Sequence, residues 1–336
     1  MKRLNVIQIG LGHDHACAVL ESMLRQKERF RVCALALPEC EREKYADRLA
    51  PFADIPLLTP EEALALQGTD AAVIETEEKN LTRCAAQAIG RGLHVHMDKP
   101  GGETLSDFEA LISAAKRSGK VLHLGYMYRY NPAVRDMMKR VRAGELGEIF
   151  CVEAQMNCAL SDEKRAWLGQ FRGGMMFYLG CHMVDVILQI KGKPREVIPM
   201  NCATGIGGVA AKDFGMAALR YENGVCFAKT CGAEASGYLR RQIVVCGSKG
   251  TIELNPLEAY AGNTGTYLCT RTRRVLKDRL NWAYYGETED TAPFERFDGM
   301  MAAFGEYAAK ERENPFGCDY ELLLYRTLLQ CCGDKI

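Results

Sequence analysis

The chain lacks long apolar runs. Nowhere in its 336 residues does an unbroken hydrophobic stretch approach the roughly 18 to 20 residues that a membrane-spanning helix needs. Its first residues, Met1-Lys2-Arg3-Leu4-Asn5, lead into a short strand and carry no signal-peptide pattern, so a cytoplasmic protein is expected. Net charge is lacking too: the 43 basic and 43 acidic side chains cancel, which leaves no global field to gather nucleic acid or an anionic membrane. Fifteen cysteines are present, yet none forms a Cys-x-x-Cys pair and no two histidines stand at a zinc-motif spacing. Reduced core thiols are therefore expected, and no metal site. Internal repeats and low-complexity segments are also missing. What is there, 48% hydrophobic and 26% charged residues, is the composition of a globular protein. A chain of this length exceeds what one hydrophobic core usually organises, so two domains are predicted.

In the first third, strand-like runs alternate with helical patterns. Residues 4–9 read as a buried strand ending at Gly10, 16–27 as a helix, and 30–37 as a strand stopped by Pro38. Thr59-Pro60-Glu61-Glu62 supplies an N-cap, a proline at the first helical position and a reaching glutamate. Strands over 71–76, 94–97 and 121–125 and helices over 80–91 and 105–118 follow. Such alternation with short connections predicts a doubly wound parallel sheet covered by helices on both faces. Past residue 122 the rhythm changes. After a helix capped by Asn131-Pro132, a strand over 149–157 and a helix over 175–190, five strand-like segments follow without intervening helices, which favours antiparallel neighbours. The prediction is an α/β protein: residues 1–122 form a Rossmann dinucleotide-binding domain and 123–336 an α+β domain with a large, mainly antiparallel, open-faced sheet. The open face invites a second copy, as a homodimer or homotetramer.

Gly10-Leu11-Gly12-His13-Asp14-His15 directly follows the first strand and opens the first helix. The first glycine permits a tight turn, the second lets the backbone approach a pyrophosphate, and the helix amino terminus meets its charge. His15 stands where this fingerprint normally has Gly or Ala. The rings of His13 and His15 either contact the cofactor directly or cap and pack the helix start. Leu37 occupies the position of the acid that holds the adenosine ribose. Glu39 or Glu41 could substitute and would repel the 2′-phosphate of NADP, whereas Arg42 could attract it, so NAD is favoured with NADP the alternative. Thr76, between Glu75 and Glu77, ends a strand on the crevice side. So does Asp98-Lys99-Pro100, where Lys99 could exchange a proton with an alcohol oxygen while hydride moves to or from nicotinamide. His94, His96 and His123 lie on buried strands and read as structural. The basic run 271–279 beside Trp282, Tyr284 and Tyr285 reads as a solvated arm or a subunit contact.

Gly10-x-Gly12, Asp98-Lys99-Pro100, Arg129-Tyr130-Asn131-Pro132, Gly144-x-x-Gly147-Glu148-Ile149, Gly173-Gly174 and Gly180-x-His182-x-x-Asp185 occur in this order. The set resembles the Gfo/Idh/MocA oxidoreductases over nearly the whole chain. The resemblance implies a Rossmann domain joined to an open-faced domain, and hydride transfer between NAD or NADP and a sugar, cyclitol or related polyol. It implies that Lys99 matches the lysine of the family's Glu-Lys-Pro motif, with Asp98 in place of the glutamate, and that His182 is its partner on the reacting hydroxyl. Asp185 would orient that ring or bind substrate. Tyr178 replaces the family's aspartate four residues before the histidine; it could assist as an acid or a hydrogen-bonding group but supplies no carboxylate. Tyr126, Arg129 and Asn157 are expected to offer polar groups to a polyol. Two rival functions are a net non-redox sugar conversion, such as glycoside cleavage or epimerisation, through transient oxidation by bound NAD, and a non-catalytic dinucleotide or sugar binder.

Overall fold

In the computed structural model, residues 2–261, 268–276 and 285–336 are described. Their contacts divide the chain into two compact units, Met1–Tyr126 with Phe297–Tyr325, and Met127–Arg296 with Arg326–Ile336. A single cut at residue 122 therefore does not describe the chain, because a carboxy-terminal segment returns to the first unit.

The first unit holds β1 (Leu4–Ile9), α1 (Ala16–Arg25), β2 (Phe30–Ala36), the one-turn α2 (Glu39–Arg42), β3 (Leu57–Leu58), α3 (Pro60–Leu64), β4 (Ala71–Ile74), α4 (Glu78–Gly90), β5 (His94–Met97), α5 (Leu105–Ser118) and β6 (Leu122–Leu124). Its six strands run in the order β3-β2-β1-β4-β5-β6, all in parallel pairs. That is the doubly wound sheet expected from the alternation, with the order reversing next to β1. Local signals set the helix ends. Thr59 and Glu62 form the reciprocal capping box, with Pro60 at the first helical position, and Gly119 closes α5 in the left-handed conformation. The returning α9 (Asp298–Ala308) ties to α1 through Arg25 Nη2, which donates to Asp298 Oδ1 at 2.7 Å. It also lays Phe304 against the rings of His96 and His123, at centroid distances of 5.7 and 5.6 Å.

The second unit contains α6 (Pro132–Arg142), β7 (Ile149–Asn157), α7 (Asp162–Trp167), α8 (Cys181–Lys191), β8 (Glu196–Pro199), β9 (Phe214–Tyr221), β10 (Gly224–Cys231), β11 (Gln242–Gly247), β12 (Gly250–Leu254), the two-stranded ribbon of β13 (Ala259–Tyr260) and β14 (Leu268–Cys269), β15 (Arg271–Leu276) and β16 (Glu287–Asp290). A last helix, α10, runs from Cys318 to Cys332; its residues up to Tyr325 are counted with the first unit and the rest with the second. The large sheet has the order β16-β15-β12-β11-β7-β10-β9-β8, with β7 and β10 parallel and the other pairs antiparallel. One face is core: Val152, Ala154, Leu219, Cys226, Ala228, Ile243, Val245, Ile252 and Leu254 are buried, and α8 packs on β7 and β10. The opposite face presents Glu153, Val225, Phe227, Met216, Ile198 and Val244, all only partly buried or exposed. The expected helix over 175–190 differs in one respect. A single π-helical turn, Met176–Gly180, precedes α8, so the helix carries extra backbone at the junction between Tyr178 and His182.

Among the described residues no helix is long and apolar enough to cross a membrane. All fifteen cysteines are free thiols. Residues 277–279 of the basic run, with Trp282 and Tyr284, lie outside the described residues. Of the remainder, Arg271 pairs with Asp290, Arg273 with Glu253, and Arg274 with Glu287.

Candidate active site

In the first unit the candidate site gathers at the carboxyl ends of β1, β4 and β5. Gly10 has φ +96°, and a Cβ there would meet the backbone of Thr76 at 2.5 Å. A Cβ on Gly12 would lie 2.6 Å from the nitrogen of Glu77. Both glycines are thus required by close backbone approach, and only the first also by its left-handed conformation. His13 follows, its N–H donating to the Glu75 carbonyl at 3.0 Å, and α1 begins at Ala16.

The loop's donors face an acid that the reading from sequence weighed only as a substitute. Glu41 Oε2 accepts from the backbone N–H of Leu11 and of Gly12, each at 3.1 Å, and its Oε1 accepts from Glu77 N–H at 2.7 Å. The side chain is fully buried, and that burial raises its carboxyl above the usual value despite the three donors. The acid is four residues past Leu37 because Pro38 turns the chain into α2, which carries Glu41 back over the loop.

Asp98 and Lys99 are completely buried. Asp98 Oδ2 lies 3.1 Å from His13 Nδ1 and 3.0 Å from His15 Nδ1, while Oδ1 accepts from Lys99 N–H at 2.6 Å. The Lys99 carbonyl accepts from His13 Nε2 at 3.1 Å, and the Lys99–Pro100 peptide is cis. Burial alone would raise the Asp98 carboxyl, but His13 and His15 hold it well below its usual range. Burial and the charge on Asp98 push Glu75 well above its own. Neighbouring carboxyls oppose each other's ionisation, and of the two it is Glu75 that is pushed up. Burial lowers His15 to about 4 and His96 to about 4, so both rings are neutral at pH 7. His96 and His123 share a 2.7 Å contact between their Nδ1 atoms, the structural role expected of them. His13, His15 and Asp98 also bring three metal-donor atoms within 4.8 Å of one another, a grouping that histidine spacing along the sequence does not display because a distant strand completes it.

In the second unit His182, one residue into α8, is buried, and its ring meets Tyr128 edge-on at 5.3 Å. Tyr178 sits in an aromatic nest: its ring stacks on Phe171 at 5.8 Å and meets Trp167 at 5.2 Å, with Lys164 Nζ 5.2 Å from its centroid. Arg129 and Asp185 are turned to each other. Arg129 Nε donates to Asp185 Oδ2 at 3.0 Å and Nη2 to Oδ1 at 2.8 Å, and Gln189 Nε2 donates to Asp185 Oδ2 at 2.9 Å. Asn157 is buried at the end of β7. Its Nδ2 donates to Gln155 and to the Arg240 carbonyl, whereas Oδ1 receives no hydrogen bond from a described residue. Tyr126 is buried at the end of the first unit.

One cluster was missed. Tyr128 O–H donates to Glu258 Oε2 at 2.9 Å, Arg241 Nη1 to the same oxygen at 2.7 Å, and Arg296 Nε to Oε1 at 2.7 Å. Arg241 Nε also donates to the Asn157 carbonyl at 3.2 Å. No local pattern in the sequence links positions 128, 241, 258 and 296. Burial works against ionisation of Glu258, but Arg296 and Arg241 hold its carboxyl below the usual range.

Comparison with known proteins places this geometry. Residues 4–126 match the model described as "Oxidoreductase family, NAD-binding Rossmann fold", and residues 134–253 match the GFO/IDH/MocA C-terminal domain. The chain is 24% identical over 169 residues to the 1,5-anhydro-D-fructose reductase of Ensifer adhaerens, covering 49% of this chain and 51% of that protein. It is 25% identical over 233 residues to the D-apiose dehydrogenase of Paraburkholderia graminis, covering 65% and 58%. The chain thus spans between about half and three fifths of the length of these curated relatives. The crystal structure of aldose-aldose oxidoreductase from Caulobacter crescentus complexed with glycerol has the same fold, with TM-score 0.76, 20% identity, and coverage of 99% of this chain and 98% of that one. On the two matching models, the glycine loop after β1 and the open-faced sheet, the chain is a member of the Gfo/Idh/MocA family of oxidoreductases.

Proposed function

We propose that the protein is an NAD-dependent dehydrogenase of a sugar, cyclitol or related polyol, acting in the cytoplasm on a secondary hydroxyl or carbonyl carbon. The observation that carries this reading is the crevice of the first unit, where a glycine loop with no room for a Cβ meets Thr76 and lies one hydrogen bond from Lys99. These residues fit a dinucleotide. Gly10 and Gly12 admit a pyrophosphate at backbone distance once the Glu41 carboxylate swings off the Leu11 and Gly12 N–H groups it holds here, with His13, Asp14 and His15 leading into α1. Glu41 offers a carboxylate to the adenosine ribose and opposes a 2′-phosphate, which favours NAD over NADP. Thr76 and Asp98 border the same crevice. When bound, the nicotinamide supplies hydride acceptance or donation.

The chain's own residues then handle the proton and the substrate. Lys99 takes or gives the hydroxyl proton, His182 shares that work, and Tyr178 assists. Asn157 Oδ1 accepts from a substrate hydroxyl, while Tyr126, Arg129 and Asp185 shape and hold the polar surface. Two or four copies associate through the open face of the large sheet. The test is Lys99→Met, assayed with NAD and a panel of polyols. Turnover should fall by about 10²–10⁴-fold while NAD binding, followed by calorimetry, is retained; wild-type turnover in this variant would remove Lys99 from the chemistry. Because Tyr178 replaces a carboxylate, NADH release should be followed alongside. Repeated turnovers without added oxidant and with no NADH released would favour the transient-oxidation alternative.

A further inference from the structure

The loop carries more than a glycine turn. Two of the positions where the chain departs from the family pattern, His15 at the third fingerprint position and Asp98 in place of glutamate, meet at one point, and His13 joins them. The hydrogen bonding of His13 is what makes this arrangement unusual. A backbone carbonyl only accepts, so the 3.1 Å contact from His13 Nε2 to the Lys99 carbonyl puts the ring proton on Nε2. His13 Nδ1 is then an acceptor, and the N–H of His15 donates to it at 3.2 Å. Yet Asp98 Oδ2, another acceptor, stands 3.1 Å from the same Nδ1. A cation between the two atoms satisfies both, and it is either a second proton on the His13 ring or a bound metal ion that takes over the Nδ1 lone pair from the His15 N–H.

We propose that His13 Nδ1, His15 Nδ1 and Asp98 Oδ2 form a binding site for one divalent transition-metal ion of the zinc class. An ion with bonds of 2.0–2.2 Å to nitrogen and oxygen in a tetrahedral site spaces its ligand atoms about 3.3 Å apart; Asp98 Oδ2 stands 3.1 and 3.0 Å from the two ring nitrogens, and all three donor atoms lie within 4.8 Å of one another. The Nε2 hydrogen bond to a carbonyl is the outer contact that fixes the tautomer of a ligating histidine. Glu75 Oε2, 3.8 Å from His13 Nδ1, is buried with no hydrogen bond from a described residue and backs the site. Three protein donors leave a fourth position, and His15, the one partly exposed member of the set, lies on the way in. Two nitrogens and one oxygen suit zinc, cobalt or nickel better than magnesium or calcium. The site does not depend on the proposed dehydrogenase activity and is tested without dinucleotide.

Chelator-treated, refolding-checked protein is titrated with Co2+, and Zn2+ binding is measured by calorimetry. One equivalent should bind and give the visible bands of tetrahedral cobalt, without the near-ultraviolet charge-transfer band that thiolate ligation adds. Asp98→Asn and His15→Ala should each weaken binding by more than the roughly 10–100-fold cost of losing an outer contact, while His94→Ala leaves it unchanged. No visible band in the wild type, binding unaffected in both variants, or a thiolate band overturns the proposal. So does a nitrogen-15 spectrum of the Zn2+-treated wild type that places a proton on His13 Nδ1, a readout needing no variant.

Discussion

Glu41 Oε2 accepts a hydrogen bond from the backbone N–H of Gly12 at 3.1 Å, so a side-chain carboxylate rests on the donor face of the glycine loop. A negative charge held there opposes any further phosphate on the adjoining ribose. Glu41→Ala should shift the ratio of NADP to NAD dissociation constants towards NADP by about tenfold, equivalent to ~1.4 kcal/mol. Titration of the variant with each dinucleotide reads the ratio directly, and an unchanged ratio removes Glu41 from selectivity.

Gly10 combines φ +96° with a would-be Cβ contact of 2.5 Å to Thr76. Gly10→Ala meets both the conformational penalty and a backbone clash, and should lower unfolding stability by at least about 1–3 kcal/mol. Chemical denaturation should show a lower midpoint. Gly68→Ala serves as a comparison, because its φ of +77° carries the conformational penalty with nothing within 4 Å of a Cβ.

The Arg129–Asp185 pair is buried and doubly bonded. Removing one partner leaves the other charged without its mate, so Asp185→Asn should cost about 3–5 kcal/mol of stability. Replacing both by apolar residues should cost much less than the sum of the single variants. A double-mutant cycle in urea checks this, and additive losses would show that the two side chains act separately.

Glu258 has a carboxyl held below its unfolded value by Arg296 and Arg241. The unfolded chain binds a proton at this site first as pH falls. The stabilisation is therefore complete above about pH 4.3, the ordinary glutamate value, and is lost as pH drops through the lower folded value. Glu258→Gln should flatten the acid limb of a stability-against-pH curve measured by thermal unfolding, relative to the wild type. An acid limb of unchanged slope would show that Glu258 does not contribute to it.

Much of the first unit is legible from residue order. Strand His94–Met97 and helix Leu105–Ser118 fall where the pattern places them, because a buried four-residue run and an amphipathic helix closed by Gly119 are local signals. Lys99, Asp98, His13 and Gly10 were likewise marked by their places at strand ends. Contacts between distant segments were hidden. Glu41 reaches the loop only because Pro38 and α2 turn back, and Glu258 meets Tyr128 and Arg241 only through sheet topology. Arg129 and Asp185 were both singled out, but nothing in the spacing said that each would be occupied by the other. The π-helical turn at Met176–Gly180 was also invisible, since its residues suit an ordinary helix equally well.

The two borders of the large sheet carry a consequence for assembly. β16 ends the sheet on one side with Glu287, Glu289 and Asp290, every residue of it exposed, and β8 ends it on the other with Glu196 and Pro199. Carboxylates repel an incoming strand of like charge, and proline removes the donor such a strand would need. The sheet is thereby terminated against lateral growth, so strand-by-strand polymerisation into fibrils is guarded against at both margins even though its broad face stays open to contact.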